Sequence, residues 1–395
     1  MFSALLDVCS TIQRNFAVLA PRVRSFPWKP GQPSIDIVIP ACGDEVEVVP
    51  SFCPHPIATG LYMTIASCER ELRSSGLDYR YYVVDNGNAQ AGPFREALDR
   101  VLDYADKTGR ATVIRQTAAS CPPAARNLGA SQGKGDILCF LDNHCDLAPG
   151  YFKHTIATFE NFYADSVRGV IVLPSGESVY EYARWETKSC KRTPLPDWLA
   201  QFHVQQVNPD VRMTGPLPYR IVTSGHGAFS IRRDVWNEID GYWDGLTAYQ
   251  GDEFYLDLKL GLLGKSVWMN PQVRHVHHSG SHRRYKAQSG PEFLHSVENI
   301  LCTAYIIGGE KLAYEFAECR YRNYWATAFM SREHRDTYLA RDRTRYGTDA
   351  EFRQMLLAAI ERSTPRREWL ASRRVWTLDE MLNAYLLAGV SGACC

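Results

Sequence analysis

Apolar residues in this chain fall in short runs closed by turn-forming residues, with longer stretches of helical spacing between them. The first run, residues 35–39, follows a segment rich in Pro, Gly and Lys at 27–33 and stops at Pro40. Residues 81–84, 111–115 and 137–141 repeat the pattern, and each run reads as a buried strand. Residues 56–74, residues 92–108 and a stretch beginning near Pro122 read as the intervening helices. Such alternation predicts an α/β fold with a mostly parallel, Rossmann-like sheet flanked by helices. After Leu301 the spacing becomes helical and stays so to the C-terminus. The expected organisation is an N-terminal helix and linker over 1–33, a catalytic α/β domain over 34–290 and a helical region over 291–395.

In open sheets of this kind, ligands bind beyond the carboxyl ends of the strands. Asp85 follows one apolar run directly, in Asp85-Asn86-Gly87-Asn88, and Asp142 follows another. Both carboxylates are therefore expected on one crevice. Past Asp142 the chain reads Asn143-His144, and Asp-x-His sets a carboxylate and an imidazole on one side of an extended turn, a donor set suited to Mn²⁺ or Mg²⁺. Turn capping by Asp142 is the competing reading of so short a motif.

Composition narrows the function classes. With 395 residues, 45% of them hydrophobic, the chain can bury a large core. Lys plus Arg equals Asp plus Glu at 44 each, so the chain lacks the overall positive field of a non-specific nucleic-acid binder. A local excess exists: residues 320–374 hold 13 Arg and no Lys against 7 acidic residues, which suits solvated helix faces or a surface for an anionic acceptor. The 12 cysteines show neither a CxxC pair nor regular spacing, which points to a reducing, cytoplasmic setting. Residues 2–20 are apolar in part, but Asp7 and Arg14 interrupt them, and they lack a basic start and a small-residue cleavage site. They are expected to form an amphipathic helix docked on the domain, and no integral membrane segment is expected.

Taken together, the motifs resemble those of glycosyltransferase family 2 and its relatives. Asp36-Ile37-Val38-Ile39-Pro40 is similar to the family's first strand, Val84-Asp85-Asn86-Gly87 to its uracil-contacting turn, and Ala125-Arg126-Asn127-Leu128-Gly129 to its Ala-Arg-Asn-x-Gly helix start. Leu141-Asp142-Asn143-His144-Cys145 resembles the Asp-Ser-His-Cys segment of polypeptide N-acetylgalactosaminyltransferases. The likeness extends through Gly225-His226-Gly227, Asp240-Gly241-Tyr242 and Gly251-Asp252-Glu253 to the histidines at 275, 277 and 278, covering roughly residues 34–290.

The resemblance implies a GT-A fold and transfer of a hexose or N-acetylhexosamine from a nucleotide-diphosphate donor, with UDP favoured because Asp85 matches the uracil-contacting position. It gives Asp142 and His144 the metal that bridges the donor diphosphate. A third ligand is expected from the strand over 273–278. There a gap-free match selects His277, matching on His-Val selects His275, and alternation places those two on one face with His278 on the other. Donor contacts are implied for Pro40, Asp85, Arg126, Asn127, Gly225 and Gly227.

Arg283 and Arg284 lie in a Gly- and cation-rich stretch suited either to close over a diphosphate or to remain a solvated loop. In inverting members the second acid of the family's acidic pair deprotonates the acceptor, a role that falls to Glu253, whereas in the retaining N-acetylgalactosaminyltransferases the first acid binds donor-sugar hydroxyls, a task for Asp252. The order Asp-Glu inverts the family's Glu-Asp, so the stereochemical outcome stays open. The acceptor is open too: a saccharide, a protein hydroxyl, a small metabolite or a hydroxymethylated DNA base. A sugar-phosphate nucleotidyltransferase is the first alternative, disfavoured because residues 41–45 are acidic where it would have a Gly-rich phosphate loop with a basic residue. A non-catalytic carbohydrate-binding or scaffold protein on the same fold is the second.

Overall fold

The computed structural model describes residues 26–41, 47–48, 58–86, 93–116, 120–172, 178–180, 217–224, 227–247, 251–278, 291–321 and 349–382. The expected N-terminal helix over 2–20, Gly225, Arg283 and Arg284 lie outside these residues.

Twelve strands are described: β1 (Ile35–Ala41), β2 (Glu47–Val48), β3 (Ala58–Thr59), β4 (Tyr79–Asp85), β5 (Ala111–Arg115), β6 (Ile137–Leu141), β7 (Cys145–Leu147), β8 (Ser166–Val172), β9 (Ser178–Tyr180), β10 (Tyr219–Arg220), β11 (Ala228–Arg232) and β12 (Val267–His277). The main sheet runs β10-β12-β8-β11-β6-β1-β4-β5, with β7 beside β12 and β9 beside β8, while β2 and β3 form a separate pair. β1 is parallel to β4 and β6, and β4 to β5. β11 is antiparallel to both of its neighbours, β6 and β8. Ala41 is paired with Asp85, so the parallel strands deliver Asp85 and Asp142 to the same edge of the sheet.

Every residue of β1 and β6 is buried, as continuous apolar runs require in a sheet covered on both sides. The pleat divides them. Ile35, Ile37, Ile39, Ile137, Cys139 and Leu141 join one hydrophobic cluster with the helices Gly60–Leu72, Pro93–Lys107 and Tyr151–Phe162. Val38, Leu138 and Phe140 join the other with Asp252–Leu262 and the C-terminal helices Pro291–Gly308, Glu310–Tyr321 and Asp349–Ala371. The helical C-terminal region thus packs into the same core as the sheet. No described helix is long and apolar enough to cross a membrane.

Most expected boundaries shift by one to four residues. The helix expected over 56–74 is described as Gly60–Leu72, and the strand 81–84 starts earlier, at Tyr79. The histidine strand expected over 273–278 is the end of the longer β12, whose register on β8 shifts between Asn270 and Arg274. Pro271, which has no N–H for the ladder, sits in that irregularity.

The helix Pro122–Gln132 starts with prolines at its first positions, where the missing N–H costs nothing. It lies close on the sheet because Gly129 has no side chain: a Cβ there would be 2.4 Å from Val38 Cγ1. This packing brings Arg126, one turn earlier, under the ends of the strands.

Candidate active site

Three donor side chains converge where β6 and β12 end. Asp142 leaves β6, and its N–H donates to the Gly227 carbonyl at 2.8 Å, which ties the turn to the start of β11. His144 is held by backbone contacts on both sides: its carbonyl accepts from His278 N at 3.1 Å, and Cys145 N donates to Thr64 Oγ1 at 3.0 Å. His277, the last residue of β12, is paired with Cys145 of β7.

His144 Nε2 and His277 Nε2 lie 3.0 Å apart, His277 Nε2 and Asp142 Oδ2 3.1 Å, and His144 Nε2 and Asp142 Oδ2 3.9 Å. Two ligands at about 2.1 Å from one ion and at right angles stand about 3 Å apart, so two of the three separations fit adjacent ligand positions. These are the only described residues that form such a metal-competent cluster. His144 Nδ1 is 2.8 Å from Asn143 Oδ1, which can only accept, so Nδ1 carries the proton and Nε2 presents a lone pair. Asn143, which the motif reads as a spacer, is therefore the orienter of His144.

The three histidines of β12 separate by environment. His275 and His277 share a face, since a Cβ on Gly227 would lie 3.3 Å from His275 Nε2 and 2.6 Å from His277 Cδ2. His275 is 1% exposed and neither ring nitrogen has a hydrogen-bond partner among the described residues. Burial, and then the neighbouring His277, push its pKa down to about 3, so it packs neutral behind the triad. His278 lies just past the strand, and burial lowers it too.

Behind the triad Arg126, 4% exposed, donates from Nη2 to Asp142 Oδ1 at 2.9 Å and from Nη1 to Asp252 Oδ2 at 3.0 Å. Burial works to lower its pKa, but Tyr242 and the two carboxylates hold it above the ordinary value. Burial likewise works to raise the Asp142 carboxyl. The hydrogen bond from His277 and the charge of Arg126 outweigh it and keep Asp142 ionised below the usual carboxylate range. Asp252 is 1% exposed, and its Oδ1 is buried with no hydrogen-bond partner among the described residues. Glu253 follows it in the first turn of the helix, half-buried.

The remaining expected residues occupy different settings. Asn127 accepts from Tyr242 N at 2.9 Å and donates to the Tyr242 carbonyl at 2.8 Å, which stitches its helix to the Asp240-Gly241-Tyr242 turn. Pro40 is buried within β1. Asp85, at the end of β4, is 1% exposed and ion-paired with Arg95 Nη1 at 2.5 Å; Arg95 also binds Asp99, four residues on. That i,i+4 Arg-Asp spacing was a visible sequence signal, whereas Arg95 reaching back to Asp85 was not. Three further buried ionisable side chains serve the loops of the site. Asp257 pairs with Arg168 and accepts from Ser224 N at 2.9 Å, and Lys259 donates to the Gly241 carbonyl.

Residues 58–238 match the glycosyl transferase family 2 pattern. Among curated proteins, the chain is 28% identical over 200 residues to the inactive polypeptide N-acetylgalactosaminyltransferase-like protein 5 of Macaca fascicularis, covering 47% of this chain and 42% of that protein. It is 27% identical over 201 residues to N-acetylgalactosaminyltransferase 7 of Mus musculus, covering 46% of this chain and 29% of that protein. The chain thus spans less than half the length of these relatives. A crystal structure of GalNAc-T7 with UDP, GalNAc and Mn²⁺ superposes with a TM-score of 0.52 at 18% identity, over 80% of this chain and 55% of that one, which supports the fold. Residues 58–238 therefore resemble a glycosyl transferase family 2 domain, the fold is that of the GalNAc-T7 structure, and Asp142, His144 and His277 form a cluster able to hold a metal ion.

Proposed function

We propose that the protein is a divalent-metal-dependent glycosyltransferase that moves a hexose or N-acetylhexosamine from a UDP-linked donor to an acceptor hydroxyl. The observation that carries this reading is the convergence of Asp142, His144 and His277 at the carboxyl edge of the sheet. These three residues would hold Mn²⁺ or Mg²⁺, which when bound supplies Lewis-acid stabilisation of the departing diphosphate.

The chain's own residues prepare the rest. Asn143 and the Gly227 carbonyl orient the donor set, and Arg126 keeps Asp142 ionised. Asp252 Oδ1 is buried without a hydrogen-bond partner among the described residues, and a donor-sugar hydroxyl would satisfy it. Glu253 is the candidate base for the acceptor hydroxyl, and Asp85 the candidate acceptor for the nucleobase N–H. Pro40, Asn127, Gly225, Gly227, Arg283 and Arg284 complete the proposed donor site. The free thiols of Cys68, Cys121, Cys139, Cys145 and Cys302 suit the cytosolic setting proposed with it.

A non-catalytic reading stays in view because one of the relatives is named inactive. One experiment separates the two. Thermal stabilisation is measured with nucleotides and nucleotide sugars, with and without Mn²⁺, on the wild type and Asp142→Ala. Mn²⁺-dependent stabilisation by a UDP-sugar, lost in the variant, together with slow donor hydrolysis, supports the enzyme; no stabilisation by any nucleotide favours the non-catalytic protein.

A further inference from the structure

Arg126 joins two carboxylates to which this reading gives different tasks. Its Nη2 holds Asp142 at 2.9 Å and its Nη1 holds Asp252 at 3.0 Å. The guanidinium cannot swing out to solvent. It is 4% exposed, and the rings of Phe229 and Tyr242 each lie 5.8 Å from it. Its charge must therefore be balanced where it stands.

We infer that Arg126 couples the cation triad to Asp252, so that the charge on Asp252 sets how tightly Asp142, His144 and His277 hold a divalent cation. The inference rests on the metal-site reading above. A buried guanidinium beside the triad opposes an incoming cation, and Asp252 offsets that opposition. With Asp252 neutral, the other carboxylate that Arg126 binds among the described residues is Asp142, the one the cation needs. Linkage then works in both directions: whatever binds Asp252 alters the cation affinity, and the cation alters by the same factor the affinity of a ligand contacting Asp252. Donor and cation binding become cooperative through the side chain that bridges Asp252 and Asp142.

The test uses Mn²⁺ alone as probe, with free Mn²⁺ counted by electron paramagnetic resonance, on the full chain as wild type, Asp252→Asn, Arg126→Gln and the double variant. Asp252→Asn should weaken Mn²⁺ binding by about tenfold in the wild-type background and by less than about twofold in the Arg126→Gln background. Equal factors in both backgrounds would reduce Asp252 to a plain long-range charge and overturn the coupling, as would no change in either. Should the wild type bind no Mn²⁺, the metal-site reading falls first and the coupling with it.

Circular dichroism checks that each variant folds. If Arg126→Gln does not, Arg126→Lys serves: a lysine keeps the charge without the two-sided fork, and the Asp252→Asn effect should drop below about threefold. A full tenfold effect in that background also overturns the inference.

Discussion

His144 Nε2 and His277 Nε2 face one another at 3.0 Å although 133 residues separate them in the chain. The pairing of His277 with Cys145 across β7 and β12 makes the approach a matter of sheet register. Replacing Asp142, His144 or His277 by Ala should weaken Mn²⁺ binding beyond the roughly 10–100-fold typical of losing an outer partner of a metal ligand. Asn143→Ala, which frees the His144 ring without removing it, should fall within that range. Mn²⁺ titration followed by calorimetry checks the order. An Asn143→Ala protein binding as tightly as the wild type would show that the ring is oriented by something else.

Gly227 has a packing reason to be glycine. Its missing Cβ would stand 2.6 Å from His277 Cδ2, and its carbonyl accepts from Asp142 N. Gly227→Ala should displace the His277 ring and lose most Mn²⁺ affinity, while costing about 1–3 kcal/mol of stability by overpacking. Denaturant melts and the same Mn²⁺ titration separate the two effects. Unaltered Mn²⁺ binding in a folded variant would refute the contact.

The Arg168–Asp257 pair is fully buried, and Asp257 also accepts from Ser224 N. Arg168→Met alone should cost about 3–5 kcal/mol, because it strands a buried carboxylate. Adding Asp257→Leu should recover part of that loss but not all, since Ser224 N then lacks its acceptor. Equilibrium unfolding in urea gives both values, and a double variant less stable than Arg168→Met contradicts the assignment.

Asp99 supplies a pH signature. Hydrogen bonds from Arg95 and Arg115 lower its pKa from 3.8 to about 2. A folded pKa below the unfolded one contributes stability that is present above about pH 4 and is lost as the pH falls toward 2. Asp99→Asn should therefore be less stable than the wild type at pH 7, with the gap closing by pH 2. Because Asp99 is 42% exposed, salt should shrink the gap further. A gap independent of pH would point to packing instead.

How much of the site was legible depended on the range of the interaction that makes it. Asp142 and Asp85 could be placed because an apolar run that stops at a carboxylate puts it at a strand end, whatever the rest of the chain does. The choice among His275, His277 and His278 could not be made from alternation, which separates faces but not depths. His275 and His277 share a face, and only the packing behind Gly227 buries the first while leaving the second among the donor atoms. Arg126 stood out as part of a helix-start motif, but its two-sided bridge needs a helix, a strand end and a second helix brought together from positions 126, 142 and 252.

The sequence by itself determined the α/β class, the alternation of strands and helices as far as Leu141, and the two carboxylates at the strand ends, because local hydrophobic periodicity is a short-range property. Only the tertiary structure decided which imidazole joins Asp142 and His144, that Asn143 sets the His144 tautomer, and that Arg126 links Asp142 to Asp252. Those relations depend on burial, and burial is settled by what the rest of the chain places around a side chain.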